Sequence, residues 1–101
     1  MASKETPYTD TQIVERLGPL EGWSQSDKAI RRTYETDGWP ITLMLVNALG
    51  FIAEAADHHP DLHVSYKKVT VSWSTHSEGG VTDKDFAGVK QSEMIAARST
   101  T

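Results

Sequence analysis

The sequence predicts an α+β domain, with an antiparallel sheet of about four strands and three helices packed on one face. Three observations favour this class. Two segments alternate apolar and polar residues, as half-buried strands do. Three other segments carry apolar residues at helical spacing behind helix-starting residues. The connections are short, which favours antiparallel pairing of strands with the helices gathered on one side.

The chain has 101 residues, a length that suits one domain. Residues 1–8 are polar and contain Pro7, so we expect a flexible N-terminal arm followed by a single domain over residues 9–101. Hydrophobic residues make up 38% of the chain and are clustered, which is typical of a folded protein.

Composition excludes several function classes. The net charge is −4 and no cluster of Lys and Arg is present, so we expect no direct contact with nucleic acid. The absence of cysteine removes disulfides, thiolate metal sites and thiol nucleophiles. The start MASKETPYTD is too polar for a signal peptide, and no apolar run reaches the roughly 18 residues of a membrane span. We therefore expect a cytoplasmic protein with no membrane contact.

The first helix and a hairpin are predicted before residue 36. Thr9 and Gln12 match a T-x-x-Q capping box, and apolar residues then recur at helical spacing until Gly18 and Pro19 stop the turn. Residues 29–34 alternate in polarity, which indicates a strand. An antiparallel partner before it, with a turn at residues 26–28, is the simplest interpretation.

The second helix is predicted to begin near Pro40, since proline fits the first turn of a helix. Residues 41–57 then supply between four and five turns of good helix formers. One predicted stripe contains Ile41, Leu45, Ala48, Ile52 and Ala55, whereas Leu43, Met44 and Phe51 lie outside it. A helix apolar on more than one side needs more than one partner, so either deep burial or a second subunit is expected.

Residues 66–76 form the clearest predicted strand, with Val69, Val71 and Trp73 on one face. This parity places His76 on the polar side at the strand's end. A short partner strand is expected near Val81. The Thr82-x-x-Asp85 pattern then predicts a last helix with a weak apolar face of Phe86, Val89, Met94 and Ile95.

The stretch EAADHHPDLH contains three of the chain's four histidines. Pro60 should end the second helix, which leaves His58 and His59 on an irregular corner with their rings aimed in different directions. If the helix packs across the sheet, His76 can reach the same corner. Three imidazoles around one cavity suit acid-base chemistry near neutral pH without a cofactor.

These and neighbouring residues are open to other interpretations. His63 is expected to be a capping cation or an ordinary surface residue. Asp57 and Asp61 could join histidines at a metal, but adjacent histidines rarely share one ion and no H-E-x-x-H is present. No serine lies in a G-x-S-x-G elbow. Gly79 and Gly80 form a weak anion-binding signal, and Trp39 and Trp73 are expected in the core.

Residues 54–85 resemble the pterin-4a-carbinolamine dehydratase family. The hallmark is an acidic residue one helical turn before His-His-Pro, then a Tyr-led strand, a Thr-His ending and a later Asp. These positions are here Glu54, His58, His59, Pro60, Tyr66, Thr75, His76 and Asp85. The likeness extends upstream through Gly22-Trp23 and Ala29-Ile30-x-Arg32, so it covers about residues 9 to 95. One departure lies nearby, because the family often has an aliphatic residue where this chain has Trp73.

The resemblance implies a hydro-lyase, a 4a-hydroxytetrahydrobiopterin dehydratase, which expels the C4a hydroxyl of a tetrahydropterin as water to give quinonoid dihydropterin. It implies acid-base work by His58 and His76, and pterin contact with proton transfer by His59. No metal or organic cofactor is expected. Substrate contacts are predicted at neighbouring residues, namely Asp57, Pro60, Asp61, Ser74, Thr75 and Asp85.

The resemblance also implies partners. Family members form dimers or dimers of dimers, so a homodimer or homotetramer is expected, and the reaction implies a functional link to an aromatic amino acid hydroxylase. The alternative is a noncatalytic protein-interaction scaffold of the same fold, either a transcription cofactor or an assembly factor. Retention of all three histidines favours the enzyme, since a scaffold has no chemical need for them.

Overall fold

The computed structural model describes residues 6–99. In chain order the elements are α1 Asp10–Leu17, β1 Ser24–Ser26, β2 Ala29–Glu35, α2 Trp39–Ala56, β3 Asp61–Ser65, β4 Lys68–Trp73, a 3-10 turn His76–Glu78, and α3 Asp83–Ser99. The strands form one antiparallel sheet in the order β1-β2-β4-β3. The predicted α+β class with four strands and three helices is confirmed.

The start of α1 follows the predicted capping box. Thr9 Oγ1 accepts a hydrogen bond from the Gln12 backbone N–H at 3.2 Å, and Gln12 Oε1 accepts one from the Thr9 N–H at 2.8 Å. Just before it, the Tyr8 N–H donates to the Val81 carbonyl at 2.8 Å. Residues 1–5 of the predicted arm lie outside the described residues. Tyr8, near the end of that arm, is therefore hydrogen-bonded to the segment that precedes α3.

The predicted hairpin is present. Ser26 pairs with Ala29, and the two residues between them, Asp27 and Lys28, have φ values of 45° and 64°. Two successive left-handed residues form the tight turn that joins antiparallel strands. The turn therefore fixes the register of β1 against β2.

The core lies between one face of the sheet and the helices. Ile30, Val69, Val71 and Trp73 are at most 1% exposed, and they alternate with polar residues on the opposite face of β2 and β4. Leu45 and Leu49 of α2 and Val89 of α3 cover them. The strand alternation in the sequence thus predicted which face is buried.

The fourth strand is not where the sequence predicted it. It is β3, which pairs with β4 so that Leu62 faces Val71 and Val64 faces Val69. Near Val81 there is only an isolated bridge between Thr75 and Gly80. A five-residue edge strand with only two apolar residues gives little periodicity to detect. The strand predicted over residues 66–76 is also shorter, and His76 begins the 3-10 turn.

The inward face of α2 also differs from the predicted stripe. Of that stripe only Leu45 is fully buried, and the buried face is Thr42, Leu45, Leu49 and Ala53. Thr42 Oγ1 lies 2.9 Å from both the Gly38 and Tyr66 carbonyl oxygens. Because apolar residues occur nearly all round this helix, periodicity could not choose the face.

The remaining surface of α2 is apolar and exposed. Met44 is 59% exposed and Phe51 is 78% exposed, so deep burial is the wrong explanation for them. Within the described part of the chain, α2 alone is long and apolar enough to cross a membrane. This is weak evidence for a membrane span, because core helices of folded domains meet the same criterion, and Leu45 and Leu49 are packed in this core.

Candidate active site

The site begins where α2 ends. Asp57 has φ 53° and ψ 39°, the left-handed conformation that closes helices, and its N–H and that of His58 reach the last helical carbonyls. Pro60 follows directly and prevents the helix from continuing. The adjacent rings diverge as expected, since the side chain of His58 is 14% exposed and that of His59 is 56% exposed.

His58 is held on two sides. Its Nε2 lies 2.6 Å from Asp85 Oδ1 on α3, and its ring stacks on the indole of Trp73 with centroids 5.5 Å apart and planes 22° apart. A carboxylate can only accept, so Nε2 carries the proton. Nδ1 is then the ring nitrogen that can exchange a proton with a ligand.

Asp85 is a buried acceptor with three donors. It is 0% exposed, and its second oxygen lies 2.7 Å from Thr75 Oγ1 and 2.8 Å from the Thr82 backbone nitrogen. The Thr75 and Thr82 hydroxyls are also 2.8 Å apart. Buried carboxylates are tolerated when hydrogen bonds satisfy them, as here. Asp85 therefore caps α3 and fixes the ring of His58 at the same time.

His59 has a different partner. Its Nε2 lies 2.8 Å from Glu54 Oε1, one helical turn back on α2, and the Glu54 side chain is 80% exposed. Contacts between exposed polar side chains contribute little to stability. The contact therefore orients the imidazole at the surface without rigidly fixing it.

His76 completes the cluster from the other segment. It lies on the 3-10 turn after β4, is exposed, and has no side-chain hydrogen bond to any of the described residues. It lines a cavity of about 300 Å³ together with His58 and His59. Three imidazoles from two separate segments thus surround one small polar space.

A second cavity adjoins the first. It has a volume of about 710 Å³, shares Ser74 and His76 with the smaller cavity, and extends to the β1–β2 turn. Ser74 Oγ donates to the Lys28 carbonyl at 2.7 Å and so fastens that turn to the end of β4. The two neighbouring cavities, together termed the cleft, have volumes in the range used for small-molecule ligands.

The other predicted site residues are distributed around this cleft. Asp57, Ser74 and Thr75 line the smaller cavity, and Asp61 lines the larger one. Asp85 lies behind the cleft, where it contacts His58. Pro60 shapes the corner but lines neither cavity, and neither does His63. Binding and catalytic roles for these residues stay predictions.

Among the residues that line the smaller cavity, sequence reasoning missed two, Ser77 and Lys84. The signal for Lys84 was available, because the Thr82-x-x-Asp85 cap places residue 84 in the first turn of α3 beside the Asp85 that holds His58. Of the two tryptophans predicted in the core, Trp39 is 45% exposed, so the prediction is wrong for it. Trp73 is 1% exposed as predicted, and it also supports a site residue. Over residues 6–99, no three His, Asp or Glu side chains are grouped closely enough to hold a metal ion.

Known proteins are similar to this chain in sequence or in fold. The chain matches the family described as pterin 4 alpha carbinolamine dehydratase over residues 6–95. A relative from Roseiflexus sp. (strain RS-1) is 44% identical over 90 residues, which are 89% of this chain and 97% of the relative. One from Roseiflexus castenholzii is 47% identical over 85% of this chain and 92% of its own length. Both are provisionally named pterin-4-alpha-carbinolamine dehydratases.

Two solved structures are also similar. A transcriptional coactivator/pterin dehydratase from Brucella melitensis aligns with a TM-score of 0.84 and 31% identity over 90% of this chain and 99% of its own. A pterin dehydratase-like RuBisCO assembly factor of the alpha-carboxysome aligns with a TM-score of 0.62 and 12% identity over 78% of this chain and 89% of its own, which shows the fold alone. The chain belongs to the pterin 4 alpha carbinolamine dehydratase family, and this membership supports a dehydratase function in general.

Proposed function

We propose that this protein dehydrates a 4a-hydroxytetrahydropterin to quinonoid dihydropterin, which supports recycling of the tetrahydropterin. The observation that carries the proposal is the convergence of His58, His59 and His76 on one cavity of about 300 Å³. Family membership supplies the substrate class. Acid-base groups near a small polar cleft are what elimination of water requires.

The proposed step moves two protons. The C4a–O bond breaks and the departing hydroxide takes a proton from an acid, leaving as water. The N5–H proton passes to a base, and its electron pair forms the C4a=N5 double bond. Nδ1 of His58 suits the base, because Asp85 holds the other nitrogen in its protonated form. His76, exposed in the same cavity, serves as the acid.

His59 has the remaining task of contacting the pterin and relaying a proton. Its pairing with Glu54 keeps the imidazole at the cavity wall. The two adjacent histidines have different partners and very different exposure, which supports this division of roles.

The test is to follow the decay of enzymatically generated 4a-hydroxytetrahydropterin with parent protein and single variants. We expect His59→Ala and His76→Ala each to lower the dehydration rate by about 10²-fold or more, the usual scale for a positioned acid or base. His63→Ala is the matched control, because His63 is exposed on β3 and lines neither cavity. Equal rates in all variants would refute the assignment.

A chelator separates this mechanism from metal catalysis. We expect the dehydration rate to be unchanged by a strong chelator, since imidazoles alone supply the acid and the base. Loss of turnover in EDTA, restored by zinc, would favour the metal interpretation instead.

A second candidate function is a noncatalytic protein-interaction scaffold. The exposed apolar residues of α2 favour it, as does the coactivator description of the Brucella melitensis relative. The histidine variants discriminate between the enzyme and the scaffold, because a scaffold would bind its partner equally well without its histidines.

The cellular setting is part of the same proposal. We place the protein in the cytoplasm as a homodimer or homotetramer, functionally linked to an aromatic amino acid hydroxylase that supplies the carbinolamine. Cell fractionation tests the location. The link is tested by adding this protein to a hydroxylase assay, where faster tetrahydropterin turnover is expected.

A further inference from the structure

The indole of Trp73 forms one wall of the environment of His58. Trp73 is the last residue of β4, is 1% exposed, and presents its ring face to the imidazole at 5.5 Å between centroids and 22° between planes. Near-parallel stacking at this separation is the offset arrangement that aromatic rings prefer. The contact therefore selects one plane for the imidazole.

Two residues of α3 fix the indole itself. Its Nε1 donates to Ser92 Oγ at 3.1 Å, and Ser92 in turn donates to the Gly88 carbonyl at 2.7 Å. A Cβ at Gly88 would lie 2.5 Å from two atoms of the indole ring, so only glycine leaves room for it. Trp73 is thus packed directly on the backbone of α3, which restricts tilting of its ring.

Asp85 on the same helix supplies the second constraint. Its Oδ1 contacts His58 Nε2, whose N–H lies in the plane of the ring, while the indole contacts the ring's face. A hydrogen bond alone permits rotation about its own axis, and a stacked face alone permits sliding. Together the two contacts define the direction of the remaining nitrogen, Nδ1.

We propose that Trp73 is a positioning residue, which holds the His58 imidazole in the plane that directs Nδ1 into the three-histidine cavity. The inference rests on the proposed dehydration. It adds Trp73, which affects the reaction only by positioning His58. Small errors of orientation at a proton-transfer site are costly, since displacements of about 1 Å can cost about 10²-fold in rate.

The matched pair of variants is Trp73→Phe and Trp73→Met. Both lose the indole N–H and reduce volume, but only phenylalanine keeps a flat face for the imidazole. We expect Trp73→Met to lower kcat by about tenfold or more with KM changed by less than about twofold, and Trp73→Phe to recover most of the loss. Val71→Ala controls for stability, because Val71 is a buried residue of the same strand and face.

Proton NMR provides a readout that does not depend on turnover. In the parent, ring protons of His58 should show upfield shifts from the indole and cross-relaxation with it. Trp73→Met should abolish both, whereas Val71→Ala should retain them.

The outcomes separate this inference from the proposed function. A parent without dehydratase activity overturns the function, and the NMR then decides whether the imidazole is held. An active, folded Trp73→Met variant with unchanged kcat overturns the positioning role. If that variant does not fold, the parent spectrum decides, and absence of the indole effects on His58 overturns the proposal.

Discussion

At the scale of single residues, Asp85 connects folding to the candidate chemistry. It is a fully buried carboxylate that receives three hydrogen bonds, from His58 Nε2, Thr75 Oγ1 and the Thr82 backbone N–H. An amide of the same shape has one acceptor oxygen and two N–H donors. In one orientation the amide NH2 group would face the Thr82 backbone N–H, and in the other it would face His58 Nε2, which could then accept only in the opposite tautomer.

We therefore expect Asp85→Asn to lower the free energy of unfolding by about 1.5–3 kcal/mol, the scale of a hydrogen bond to a charged group. The dehydration rate should fall by about tenfold or more, because the tautomer of His58 is no longer fixed. Urea unfolding and the pterin assay measure the two effects. Asp37→Asn, an exposed acid in the turn before α2, is the control. An Asp85→Asn variant as stable and active as this control would contradict the role.

A second buried group, Tyr34, should give the protein a stability limit at high pH. Its phenol donates to Glu93, whose carboxylate also pairs with Arg32 at 2.9 Å. Burial raises the pKa of Tyr34 far above its usual value, and the hydrogen bond to Glu93 and its negative charge raise it further, while Arg32 opposes them. The folded protein therefore keeps this proton where the unfolded chain loses it.

Stability from this group should be fully present below about pH 10 and decline as pH rises beyond it, by at most about 1.4 kcal/mol per pH unit. Tyr34→Phe should remove that part of the decline. Tyr66→Phe, at an exposed tyrosine, should retain it. Chemical unfolding between pH 9 and 11 gives the free energy of unfolding as a function of pH for each protein. Equal slopes for the Tyr34 variant and the parent would show the account of Tyr34 to be wrong.

At the scale of elements, two helical glycines have opposite surroundings. A Cβ at Gly88 in α3 would overlap the Trp73 indole, whereas a Cβ at Gly50 in α2 meets nothing within 4 Å. Gly88→Ala should thus destabilise by about 1–3 kcal/mol through overpacking. Gly50→Ala should stabilise by about 0.5–1 kcal/mol through higher helix propensity. Thermal unfolding of both variants measures the two effects. Melting temperatures that shift in the same direction would count against this packing of α3 on the sheet.

The elements that the sequence predicted well are those with strong local signals. The Thr9 cap, the turn at residues 26–28, Pro40 at the start of α2 and the Thr82-x-x-Asp85 cap all act over four residues or fewer. The strand β3 was missed because its pairing with β4 is a tertiary interaction with little apolar periodicity of its own. The buried face of α2 was missed because Thr42, a polar residue, marks it through hydrogen bonds.

At the scale of the whole molecule, the layered packing explains why the site lies at one end of the strands, where β4 ends. The end of α2, the end of β4 and the start of α3 meet there, and each contributes a lining residue or a support for one. Adjacent histidines and Pro60 predicted the corner from sequence. The stacking on Trp73 and the burial of Asp85 depend on how α3 crosses the sheet, which no local pattern reveals.

The exposed apolar face of α2 leads to a prediction about assembly. Met44 and Phe51 are both exposed and lie seven residues apart, on one face of the helix, and exposed apolar patches are typical of interaction surfaces. We expect sedimentation velocity to show a dimer or tetramer, and Phe51→Glu to shift it toward monomer. Val14→Glu, at an apolar residue that is 63% exposed on α1, should leave the assembly unchanged. A parent that is monomeric at all concentrations would contradict this use of α2.

The most direct test of the central claim is the decay of 4a-hydroxytetrahydropterin, generated by a hydroxylase and followed by its ultraviolet absorbance, with and without this protein. The account predicts a decay rate that rises in proportion to added protein, with quinonoid dihydropterin as the product. The protein lacking all three imidazoles, His58→Ala, His59→Ala and His76→Ala combined, should return the rate to the spontaneous value while remaining folded. A parent protein that leaves the spontaneous decay unchanged would contradict it.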